Sequence, residues 1–240
     1  MKNMFMRYAI VIRSISFTLY YSIVALSIVL TGMGSRARSN WVIRTWAQGL
    51  LTIVNLNYKI FNPHQVTFEP GKNYIVMCNH TSVYDIPLSI MALNCTVRML
   101  AKKELSYIPI FGYAMTKNEF LFIDRKNREQ AIKDLKLAAE KMKSGVVLWI
   151  APEGTRSRDG QLLPFKKGGF MLALETGATI VPLGIRGALN IIEPKTFKVK
   201  AGQSAEVYLG KPIDTKNYSF DQRQQLMDDV KAALQDAAGL

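Results

Sequence analysis

Cysteine and histidine are scarce in this chain of 240 residues, with two of each. Cys78 and Cys95 are too few to staple a fold of this length, and Cys78 closes an apolar run. A disulfide-built extracellular scaffold is thereby excluded, and small buried thiols of a reduced protein are expected. No His/Cys/Asp grouping has metal-ligand spacing, so no metal is expected; no bound cofactor is expected either. The absence of a G-x-S-x-G segment removes the nucleophile elbow of esterases and lysophospholipases. There is no internal repeat, so a solenoid is excluded. Acidic residues are missing from one end: no Asp or Glu precedes Glu69, in a chain whose 31 Lys and Arg against 18 Asp and Glu give a formal charge of +13. An acidic partner is expected at that end.

Nucleic acid and anionic membrane lipid both suit a basic chain, but residues 14–35 form an apolar run without a single charge. That favours lipid over nucleic acid. The run is long enough to span a bilayer as a helix, and Lys2, Arg7 and Arg13 before it, with Arg36, Arg38 and Arg44 after it, suit phosphate headgroups. Since both flanks are basic, charge does not decide between a span and a hairpin in one leaflet. A cleaved signal peptide is disfavoured, because the cluster from Arg36 to Arg38 directly after the cleavage zone opposes translocation. Residues 41–60, with Trp41, Trp46, Leu50 and Leu51 around Arg44, predict a second, interfacial amphipathic helix. Asn62-Pro63 breaks the pattern. The reading is a membrane-anchoring helical segment, 1–61, followed by one domain, 62–240.

In that domain strand and helix alternate. Strands are predicted at 66–68, 73–78, 96–102, 119–124, 146–151 and 179–185, and an antiparallel edge from 197–199 and 205–209 around Gly202. Helices are predicted at 83–93, from an Asn127 cap to Gly145, at 166–175, and at 219–237 with Phe220, Leu226, Val230 and Leu234 on one side. Such alternation implies an α/β fold, a mostly parallel central sheet covered by helices.

Three predicted strands end in polar turns: at Asn79-His80-Thr81-Ser82-Val83-Tyr84-Asp85, at Asp124-Arg125, and at Pro152-Glu153-Gly154-Thr155-Arg156-Ser157. If the strands are parallel, all three turns share one edge of the sheet, where ligands bind in such folds. That edge would hold a base, a carboxylate and two guanidinium groups. Arg125 and Arg156, joined by Lys103, suit a phosphate dianion, because a guanidinium donates two parallel hydrogen bonds and keeps its charge. Gly154 permits close backbone approach by a headgroup or a developing oxyanion.

Those stretches, together with Phe122-Ile123-Asp124-Arg125 and Ile180-Val181-Pro182-Leu183-Gly184, resemble in order the four blocks of the glycerolipid acyltransferases, most nearly the bacterial members acting on 1-acyl-sn-glycerol-3-phosphate. The resemblance covers residues 79–184. It implies that His80 is the general base for the acceptor hydroxyl and that Asp85 fixes its tautomer. It also implies that Arg125 and Arg156 bind the acceptor phosphate, with Lys103 and Thr155 beside them. Glu153 and Gly154 would position the glycerol, and Pro182 would shape the acyl side. The partners implied are lysophosphatidic acid and an acyl thioester of acyl carrier protein or coenzyme A, at the cytoplasmic face of a bacterial inner membrane. Rival acceptors are glycerol-3-phosphate and a lyso-ornithine lipid; a non-catalytic basic lipid binder would leave His80, Asp85 and Glu153 without a task.

Overall fold

Tyr74–Cys78 (β2), Val97–Lys102 (β3), Leu121–Ile123 (β4), Val147–Ile150 (β5) and Thr179–Arg186 (β6) run parallel through the middle of the molecule. The computed structural model describes residues 2–192, 196 and 198–240, with side chains from residue 8 onward. Ser204–Leu209 (β7) lies antiparallel to β6, Asn57–Phe61 (β1) pairs parallel with β7, and the two-residue Ile213–Asp214 (β8) pairs antiparallel with β6. The order is β1-β7-β6-β2-β5-β3-β4. β2 and β5 are buried at every position, as apolar runs of this length must be when helices cover both faces.

The pleat sends Val76 and Cys78 to one core and Ile75 and Met77 to the other. The first is covered by Arg36–Ile53 (α2) and Asp85–Ala92 (α3), through Ala47, Leu51 and Leu88. The second is covered by Arg128–Lys143 (α5), Lys167–Thr176 (α6) and Arg223–Ala238 (α7), through Ala138, Phe170 and Leu234. Asn127 caps α5, its side chain accepting from Gln130 N, and Gly177 ends α6 in the left-handed conformation. Lys2–Leu30 (α1) packs against α2 and Phe111–Lys117 (α4). Its stretch Tyr8–Leu30 is long and apolar enough to cross a membrane, and Ile12, Ile15, Leu19 and Ile23 form an exposed stripe along it.

Several expectations are corrected. The second helix ends at Ile53, and residues 57–61 form β1, so the sheet begins before the boundary set near residue 62. The apolar face of α2, which includes Ile43, Ala47 and Leu51, is turned to α3 and the sheet, leaving Trp41 outside. No strand forms at 66–68, where Asn62 instead holds Val66 through both of its backbone groups. Phe197 lies outside the described residues; Val199 bridges Ile192 rather than the 205–209 strand, which pairs with β1 and β6. Phe220 precedes α7 and is exposed.

The basic flank is also bound internally. Arg36 pairs with Glu119 through two nitrogens at 2.8 and 2.9 Å, and Arg44 donates to Ile90 O and Leu93 O at the end of α3. Arg98, 1 % exposed within β3, holds Asn40 and Ser39 of α2 and the Asn118 carbonyl. Burial pushes its guanidinium down to about 10. These contacts fasten α2 to the sheet.

Candidate active site

Because β2, β5, β3 and β4 are parallel neighbours, the turns that follow them share the carboxyl edge. At the end of β2, the His80 Nδ1 lies 2.8 Å from Asp85 Oδ2. The same oxygen accepts from Thr81 N at 2.7 Å and Ser82 N at 2.8 Å, so the carboxylate is caged within the turn that starts α3. Asp85 is fully buried and occupies the first turn of the helix, where the N-terminal dipole favours a negative charge. The His80 ring stands edge-on to Trp149 at 5.8 Å, its side chain 19 % exposed. With Nδ1 turned to the carboxylate, Nε2 is the nitrogen left for a reactant. Asn79 extends the ladder beyond β2, donating to Ile185 O at 2.9 Å and accepting from Ile185 N at 2.8 Å.

The turn after β5 holds the histidine by its backbone. Glu153 Oε1 accepts from His80 N at 2.9 Å, Oε2 accepts from Leu163 N at 2.9 Å, and Ser157 N donates to His80 O at 2.7 Å. Glu153 is buried, and burial raises its carboxyl above the usual range while the two backbone donors pull the other way. Sequence reasoning assigned this residue toward the glycerol and missed that both of its oxygens hold protein N–H groups. The signal for that is slight: a carboxylate directly after an apolar strand.

Arg125 donates from Nη1 to Gly154 O, which joins the turns after β4 and β5. Gly154 takes φ +71°, turning its carbonyl toward that contact, a conformation open to glycine. Lys103 Nζ binds Asp124 Oδ2 at 3.0 Å, and Asp124 Oδ1 receives Lys126 N and Asn127 N. The Lys126 N–H, then Lys103 and the Asn127 N–H, hold the Asp124 carboxyl below its usual range. Thr155 and Arg156 are exposed, and among the described residues Arg156 has no ion-pair or hydrogen-bond partner. Pro182 lies buried in β6 beside Met77 of β2. The predicted residues therefore meet along one edge as a His80–Asp85–Glu153 group and an Arg125–Gly154 contact, with Lys103 engaged by Asp124 and Arg156 standing free. Among the described residues no three His, Cys, Asp or Glu side chains gather as metal ligands.

A buried carboxylate orienting an imidazole beside a basic turn, on the carboxyl edge of a parallel sheet, is equipment for activating a hydroxyl next to an anionic group. The acyltransferase family profile matches residues 60–186, and the chain belongs to that family. The 1-acyl-sn-glycerol-3-phosphate acyltransferase of Saccharomyces cerevisiae is 31% identical over 238 residues, covering 97% of this chain and 76% of the yeast protein. The human 1-acyl-sn-glycerol-3-phosphate acyltransferase alpha is 31% identical over 168 residues, 70% of this chain and 59% of its own. The crystal structure of the 1-acyl-sn-glycerophosphate (LPA) acyltransferase, PlsC, from Thermotoga maritima superposes with a TM-score of 0.69 at 26% identity, over 95% of this chain and 97% of that one. The likeness thus extends across yeast, human and bacterial proteins rather than to a bacterial branch alone.

Proposed function

We propose that this chain transfers a fatty acyl group from an acyl thioester to the sn-2 hydroxyl of 1-acyl-sn-glycerol-3-phosphate, making phosphatidic acid. The observation that carries this reading is the 2.8 Å contact between His80 and the caged Asp85, on the same edge as Arg125 and Arg156, in a chain matched along nearly its whole length by an enzyme named for that reaction. His80 Nε2 takes the hydroxyl proton as the oxygen attacks the thioester carbonyl. The tetrahedral intermediate then expels the thiolate, which receives the proton from the imidazolium. Asp85 keeps the proton on Nδ1 and stabilises the imidazolium.

Arg125 and Arg156 bind the acceptor phosphate. Lys103 and Thr155 assist them, Gly154 lies against the glycerol, and Pro182 borders the acyl group. Glu153 reaches the glycerol only indirectly, by fixing the turn and the His80 peptide. Acyl carrier protein or coenzyme A carries the donor acyl group, and the reaction needs no cofactor or metal. The exposed stripe of α1 supports membrane association, and we place the site at the cytoplasmic face of a bacterial inner membrane, where acyl thioesters are made.

The test is thiol release from acyl-carrier and coenzyme A thioesters by detergent-solubilised wild type and His80→Ala, with and without 1-acylglycerol-3-phosphate. Release that needs both acceptor and His80 is expected, with His80→Ala lower by about a hundred- to ten-thousandfold. Release without acceptor means a hydrolase. Release only with glycerol-3-phosphate or a phosphate-free lyso-lipid moves the acceptor.

A further inference from the structure

Between β3 and α4 the chain makes a 3-10 turn, Lys103–Tyr107, and then a tighter one around Ile110. Phe111 N donates to Pro109 O at 2.7 Å, closing a three-residue turn whose central residue has φ +64° and ψ −58°. A β-branched residue rarely takes that conformation, and such backbone persists where the surroundings force it. The surroundings here are firm. Ser106 Oγ donates to Lys103 O, Gly112 N to Ile108 O at 2.8 Å and Ala114 N to Ile110 O at 2.8 Å. A Cβ on Gly112 would come within 2.3 Å of Ser106 O, so the two turns are pressed together.

This rigid backbone does not serve to fill the core. It leaves Tyr107 66 %, Ile108 44 %, Ile110 40 % and Tyr113 49 % exposed, an apolar patch on a held platform. The patch adjoins α4, which packs against α1, the helix long and apolar enough to cross a membrane. Lys117 lies with Nζ 5.3 Å over the Tyr113 ring, placing a cation beside a tyrosine at the rim. Aromatic and basic residues around aliphatic tips suit the headgroup boundary of an anionic bilayer. At its root, Lys103 grips Asp124 next to Arg125, so the position of the patch is tied to the site.

We propose that Tyr107, Ile108, Ile110 and Tyr113 form a second lipid contact, separate from α1. This contact enters the headgroup boundary and sets the mouth of the site at the depth of a lyso-lipid phosphate. Carried on an unyielding turn, it acts as a depth stop rather than a flexible lid.

The test uses the full chain with Ile110→Cys, in a Cys95→Ala background, carrying an environment-sensitive fluorophore. It is mixed with phosphatidylcholine vesicles containing phosphatidylglycerol and lipids with shallow quenchers. A blue shift and quenching that appear only with vesicles are expected. Water-like emission from vesicle-bound protein overturns the proposal, as does a shift that rises with protein concentration without lipid, which would mean a second copy of the chain. A second arm rests on the acyl-transfer reading. Ile108→Glu and Ile110→Gly should lower kcat/KM about tenfold on vesicle-borne acceptor, and change it less than twofold on an acceptor too short-chained to join a bilayer. Glycine relieves the turn, so Ile110→Gly should fold at least as stably as wild type. Equal loss on both acceptors overturns the depth-stop role, whereas no activity from wild type with a normal fluorophore shift faults only the reaction.

Discussion

Replacing Asp85 by asparagine separates two tasks that this carboxylate performs. Oδ2 receives three donors: His80 Nδ1–H and the amides of Thr81 and Ser82. An asparagine that turned its NH2 toward them would set donor against donor three times over. Its carbonyl oxygen must therefore take the Oδ2 place, so His80 keeps its tautomer and loses only the facing charge. A charge-assisted hydrogen bond exceeds a neutral one by roughly 1 to 2 kcal/mol, and that difference grows as the imidazolium forms, which gives a fall in kcat of about ten- to a hundredfold. The amide nitrogen would occupy the Oδ1 place, which is buried without a partner, and lower stability by about 1 to 3 kcal/mol. Asp85→Ala removes the acceptor altogether and should cost on the order of a thousandfold or more. The assay is thiol release at saturating donor and acceptor, with thermal unfolding of each variant as the control. If Asp85→Asn is folded yet as inactive as His80→Ala, the backbone cage does not hold the tautomer. If it is as active as wild type, the pair plays no part in the chemistry.

Arg125→Ala and Arg156→Ala should each raise the acceptor KM by about ten- to a hundredfold with a smaller change in kcat, and unchanged acceptor saturation would remove them from the phosphate site. Two hydrogen bonds from Arg36 hold the Glu119 carboxyl at about 2, against an ordinary value of 4.5. A depressed value means stabilisation that is full above 4.5 and lost as pH falls toward 2; with both groups partly exposed it amounts to about 1 kcal/mol. Glu119→Gln should be less stable than wild type at pH 7, and the two should converge near pH 2 in acid-unfolding curves. A Cβ at residue 184 would lie 2.2 Å from the Ala237 carbonyl carbon, in α7 backbone that cannot yield as a side chain does. Gly184→Ala should therefore destabilise by about 3 kcal/mol, seen as a fall in Tm of roughly 6 to 12 °C.

What the sequence made legible was local or strongly patterned. β2 and β5 are short apolar runs closed by polar turns, Asn127 caps its helix by a contact three residues long, and His80 and Asp85 belong to one turn, so spacing alone placed them together. The missed features depend on distant partners. Arg36 reads as a membrane flank until Glu119, 83 residues away, is brought to it. Arg98 passes as one more strand residue, although a charge inside an apolar run asks where its donors go, and the answer is α2 and the Asn118 carbonyl. β1 is a partly exposed edge strand with no alternation strong enough to interrupt a helical reading, and its pairing with β7 is set by residues far along the chain.

The grip of Glu153 and Ser157 on the two sides of His80 bears on how such a chain can be recombined. The turn after β5 both holds Arg125 through the Gly154 carbonyl and fixes the peptide of His80, so under the roles proposed for these residues the two turns cannot be exchanged independently. A chimaera that imports another relative's turn at 152–157 to change the acceptor also imports new anchor points for residue 80. Such grafts should work as a cassette that includes 79–85 and fail when either half travels alone. Under the proposed roles, acceptor preference and catalytic competence are inherited together, and variation between relatives in this pair of turns should be concerted rather than piecemeal.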